Sequence, residues 1–60
     1  MNELQILFRL NELDKSLSLA VAIEAMGQVI FLREALEEQG REYDEDALIK
    51  EVLEYALNEL

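Results

Sequence analysis

Between Leu17 and Leu36 the chain reads LSLAVAIEAMGQVIFLREAL, and from Leu17 to Leu32 its only charge is Glu24. Wound into a helix, this stretch carries a broad apolar arc of Leu19, Val21, Ala22, Ile23, Ala25, Met26, Val29, Ile30, Leu32 and Leu36. The other side holds Leu17, Ala20, Glu24, Gly27, Gln28, Phe31 and Ala35, which is still mostly apolar or small. A helix at the surface of a globular protein shows a polar face opposite its apolar stripe. This one lacks such a face, so it is expected to be covered on nearly every side.

The length of the chain makes that demand hard to meet. Sixty residues form one domain at most, here 1–60. A domain of that size buries only about 60% of its unfolded surface and is marginal alone. Disulfides and zinc are the usual supports, but the chain has neither Cys nor His. Association is the support that remains. The expected fold is therefore all-α, a small helical hairpin or three-helix chain that completes its core as a homo-oligomeric helical bundle. The absence of Pro and the presence of only two glycines agree with helices rather than hairpins.

Local signals place the helices at about 2–13, 17–39 and 44–60. Asn2 can cap the first, in which Leu4, Leu7 and Phe8 form one apolar row and Ile6, Leu10 and Leu13 another. Glu3, Gln5, Arg9 and Glu12 are left for solvent. Asp14 to Ser18 offers capping residues but no Gly or Pro, and the row Ile6, Leu10, Leu13, Leu17, Val21 runs straight through it. A break is favoured there, with one continuous helix from Asn2 to Gln39 as the alternative. Gly40 suits the left-handed position after a helix end. Asp44 can cap the third helix, with Glu45 and Asp46 in its first turn. Ile49, Val52, Leu53, Ala56 and Leu60 share one face of that helix, and Tyr55 stands near its boundary.

Three features are candidates for function. The first is the shared core, with Leu19, Ala22, Ile23, Met26, Val29, Ile30, Ile49, Val52, Leu53 and Ala56 as the expected oligomer interface. Glu24, between Ala20 and Gly27 on its own stripe, is the candidate polar contact of that interface; exposure on the least buried face is the alternative. The second is an acidic turn: seven of the 14 acids fall between Glu34 and Asp46, opposed only by Arg41. Glu38, Glu42, Asp44, Glu45 and Asp46 would be the partner-binding residues of such a knob; a purely solubilising turn is the simpler reading. Glu37 and Glu38 sit where the helix dipole prefers cations, partly offset by pairing of Glu37 with Arg41. The third is the carboxylate pairs Glu34/Glu37 and Glu51/Glu54, whose chemistry would permit Mg²⁺.

The net charge of −9 argues against direct binding to nucleic acid or to an anionic membrane. The 16 residues from Leu17 to Leu32 are interrupted by Glu24 and fall short of the roughly 20 that span a bilayer. The opening MNELQILFRL, with an acid before its first base, does not suit a signal peptide. A cytoplasmic location is expected. No Ser–His or Cys–His system, Gly-rich phosphate loop or basic-aromatic patch occurs, so neither catalysis nor a cofactor is expected. The favoured function is a small acidic protein–protein interaction module, an adaptor, assembly factor or regulator, acting as a homo-oligomer, with another protein of basic surface as its further expected partner. The alternatives are an acidic inhibitor that mimics nucleic acid and, less favoured, a Mg²⁺-dependent all-α nucleotide pyrophosphohydrolase-like enzyme.

Overall fold

A computed structural model describes residues 1–59. It holds three helices, α1 (Glu3–Leu13), α2 (Leu19–Glu38) and α3 (Glu45–Glu59), and no strand among the described residues. Each helix packs on both of the others. The N-terminus of α1, the C-terminal turns of α2 and the start of α3 share one end of the molecule, where Arg33 reaches both Met1 and Glu45. The chain thus runs up, down and up. Leu60, assigned by the sequence pattern to the face of Ile49 and Leu53, lies outside the described residues.

Each helix starts where a short polar side chain can satisfy its free N–H groups. Asn2 Oδ1 accepts from the N–H of Gln5 at 2.9 Å, and Gln5 Oε1 accepts from the N–H of Asn2 at 2.8 Å, a reciprocal capping box. Ser18 Oγ accepts from the N–H of Val21 at 3.2 Å. Asp44 Oδ1 accepts from the N–H groups of Asp46 and Ala47 at 3.0 and 3.4 Å. The end of α2 is closed by Gly40 at φ 69°, with the Gly40 N–H on the Glu37 carbonyl and the Arg41 N–H on the Leu36 carbonyl, both at 3.0 Å. That pair of bonds is a Schellman motif, and its left-handed residue is where glycine is favoured.

The chain breaks between α1 and α2. Asp14 adopts an extended conformation, φ −144° and ψ 99°. Its Oδ1 accepts from the N–H of Ser16 at 3.0 Å and from the Ser16 hydroxyl at 2.6 Å. These local bonds offer the backbone an alternative to helix, and they hold the Asp14 carboxyl below its ordinary range. Folding α1 back also buries Ile6 and Leu10 completely, which a continuous helix would leave in water.

The core is Ile6, Leu10, Ala25, Val29, Leu48, Ile49, Val52 and Leu53, with Ala22 buried beside it. Of the two apolar rows on α1, the row of Ile6, Leu10 and Leu13 faces inward, and Leu4 and Phe8 of the other stay more than half exposed. Ile6, Leu10, Val29 and Ile49 carry the most buried volume. Truncation of Ile49 to Ala is expected to cost about 2–5 kcal/mol, comparable to the total stability of a core this small. In urea denaturation followed by circular dichroism, Ile49→Ala should therefore be largely unfolded without denaturant. Gly40→Ala, strained at positive φ by about 1–2 kcal/mol, should fold with a lower midpoint.

Candidate protein interaction surface

A helix in a triangle of three touches two neighbours, and α2 has apolar residues to spare for more. Its buried residues, Ala22, Ala25 and Val29, occupy one narrow face. Leu19, Ile23 and Phe31 remain 68%, 49% and 66% exposed. They recur every four residues with Gly27 between the last two, forming a single i, i+4 row along the open side. On the flank of this row lies a cleft of about 290 Å³ lined by Leu7, Phe8, Asn11, Leu17, Leu19 and Ala22. The cleft joins the α2 row to the exposed Phe8 of α1, one turn from the exposed Leu4. The total accessible surface is 4389 Å², against about 4,000 Å² expected for a folded monomer of this mass.

A second apolar opening lies between α2 and α3. Gln28, Leu32, Glu51, Val52 and Tyr55 line a groove of about 410 Å³, which continues past Val21, Glu24 and Ala56. Tyr55 is 65% exposed, as its boundary position implied. No three carboxylates approach one another closely enough to hold a metal ion among the described residues. Glu34, Glu37, Glu51 and Glu54 are all exposed.

Within the chain, the ten residues expected at an oligomer interface divide into three groups. Ala22, Val29, Ile49, Val52 and Leu53 are sealed in the chain's own core. Met26, Ile30 and Ala56 are half-buried, while Leu19 and Ile23 are open. Glu24 is exposed beside the open row. Sequence periodicity found the apolar residues but could not assign them between inside and outside. Leu4, Phe8 and Phe31 belong to the exposed surface, although the interface expected from sequence did not include them.

The acidic turn is used largely inside the fold. Asp44 caps α3. Glu45 is half-buried, 2.9 Å from Arg33 Nη1 and 3.0 Å from the Met1 α-amino group. Asp46 accepts from Arg9 Nε at 2.7 Å and Nη2 at 3.2 Å, and pairs with Lys50 at 3.2 Å. Arg9, assigned to solvent from the sequence, instead spans from α1 to α3. Glu37 accepts the Tyr43 hydroxyl at 2.6 Å, and no Glu37–Arg41 ion pair forms among the described residues. That hydrogen bond holds the Tyr43 hydroxyl above its ordinary pKa. Glu38 and Glu42 project into solvent.

These pairs make two α3 carboxylates resist protonation. The hydrogen bonds from Arg9 and then Lys50 hold Asp46 down at about 2. For Glu45, burial opposes the charged form, but the Met1 ammonium and Arg33 outweigh it and keep the carboxyl below its ordinary range. No family model, curated protein or solved structure matches this chain.

A carboxyl with a depressed folded-state pKa stabilises the fold above its unfolded value, and that contribution is lost as pH falls through the folded value. For Asp46 the window runs from 3.8 down to about 2. Stability from urea titrations should therefore hold from neutral pH to about 4 and decline below. Asp46→Asn should be less stable at neutral pH and show a shallower decline across that window. An identical decline in the variant would mean the Arg9–Asp46 pair is not its source.

Proposed function

We propose that this chain is a small acidic protein–protein interaction module that works as a homo-oligomer, in the manner of an adaptor, assembly factor or regulator. The observation that carries this reading is the open apolar row of α2 with its extension to Leu4 and Phe8 of α1. Leu19, Ile23, Phe31, Leu4 and Phe8, each about half exposed or more, together present on the order of 500 Å² of largely apolar surface. A patch of that size is at the upper end of what monomers leave in water, and such patches mark interaction sites. Burial of each such side chain contributes roughly 1.5–3 kcal/mol when complete.

The acidic turn supports a weaker reading as an inhibitor of a basic surface. Three of its five candidate residues, Asp44, Glu45 and Asp46, are engaged within the chain. Only Glu38 and Glu42 stand free of such engagement among the described residues, which favours the apolar face. No helix among the described residues is long and apolar enough to cross a membrane.

Sedimentation equilibrium at micromolar concentration is expected to give a mass above that of one 6.9 kDa chain. Ile23→Glu combined with Phe31→Glu should reduce the mass to that of the monomer while preserving helical circular dichroism, since both side chains are exposed in the single chain. A wild-type chain that stays monomeric and folded at these concentrations overturns the proposal.

A further inference from the structure

The occupant of the open row can be specified further, resting on the self-association proposed above. Gly27 stands in the middle of α2, where glycine weakens a helix relative to alanine. Nothing in the single chain accounts for it. Its φ is not positive, and a Cβ added there would meet no atom within 4 Å. It forms a notch in the row Leu19, Ile23, Gly27, Phe31, with a large exposed side chain four residues to either side.

The charge on α2 says what fits that notch. The helix has no acid in its first turn and no base in its last, where Glu37 and Glu38 oppose the dipole. Glu34 and Glu38 are exposed on the side of the open row, and Lys15 is exposed just before the helix begins. A parallel neighbour of the same sequence would bring these acids against their own copies and Glu24 against Glu24. An antiparallel neighbour brings them toward the positive end of the other α2 and its Lys15. With the crossing at Gly27, the two Glu24 residues are offset by about 9 Å along the axis, beyond the roughly 8 Å screening length at physiological salt.

We propose that a second copy of this chain packs antiparallel on the Leu19–Ile23–Gly27–Phe31 row, with the two α2 helices crossing at Gly27 and Phe31 of each seated against the partner's Ile23. The pairing is two-fold and self-complementary, as in most homodimers. The row and its α1 flank present on the order of 500 Å² per partner, below the roughly 800 Å² of a standard interface and in the range of weaker pairs.

The chain contains no cysteine, so single cysteines can report the geometry by disulfide formation, which requires Cα atoms within about 7 Å. Gly27→Cys should cross-link to itself. Ile23→Cys mixed with Phe31→Cys should give the heterodimeric disulfide, while Ile23→Cys alone should not, since those positions lie about 12 Å apart along the crossing helices. All three sites are exposed in the single chain, so circular dichroism should show each variant folded. As an independent readout, Gly27→Leu should weaken self-association by about tenfold or more in sedimentation, because an added side chain fills the notch. Efficient self-linking of Ile23→Cys means a parallel pairing and overturns the proposal, as does a wild-type dimer in which none of these pairs cross-links. A monomeric wild type overturns self-association itself and is distinguished by sedimentation before any cysteine is introduced.

Discussion

Three helices packed in a triangle give each helix two neighbours, while α2 is apolar around more of its circumference than two neighbours can cover. The rest of the molecule is arranged within that constraint. Helices α1 and α3 supply Ile6, Leu10, Leu48, Ile49, Val52 and Leu53 to one side of α2, closing over Ala25 and Val29. The small residues Ala22 and Ala25 on that side let both neighbours approach closely. Of the larger apolar side chains of α2, Val29 is sealed and Met26, Ile30 and Leu36 pack against the core. Leu19, Ile23 and Phe31 are on the side left open and forgo the burial through which large side chains contribute most.

The ion pairs at the other end of the molecule have a different role. Arg9–Asp46 and Arg33–Glu45 are only partly shielded from water, and pairs of that kind contribute a measurable but modest amount to stability. Their value is positional. Arg9 ties the middle of α1 to the start of α3, and Arg33 ties the last turns of α2 to the same place. Reversing α1 end for end would move the chain start away from Glu45. The acids at the head of α3 thus serve the helix dipole, the cap and the choice of topology together.

Local features of this architecture were readable from the sequence. Asn2, Ser18, Asp44 and Gly40 act within four residues of themselves, so the helix ends could be placed within about two positions. The separation of α1 from α2 was visible as capping residues at Asp14 to Ser18, but the unbroken apolar row left it undecided. It is resolved by packing, since Ile6 and Leu10 become inaccessible only when α1 folds back. The pairings of Arg9 with Asp46 and Arg33 with Glu45 span 37 and 12 residues. No periodicity encodes such contacts, and seven neighbouring acids look alike until a partner chooses among them. The same limit applies to α2: its sequence is apolar all round, and only the placement of α1 and α3 distinguishes core Val29 from open Ile23.

The proposed pair would also account for how an apolar row and a charge of −9 coexist in so short a chain. A two-fold contact uses the same row on both copies, so its formation leaves no free copy of that row to recruit a third chain. In such a pair the exposed acids beside the row, Glu24, Glu34 and Glu38, would lie at the rim. There they would disfavour off-register or parallel approaches while remaining solvated in the antiparallel one. Lys15 and Arg41 are the bases not engaged in ion pairs among the described residues, so acids outnumber free bases on the outer surface. The excess of like charge over the outer surface disfavours open-ended aggregation.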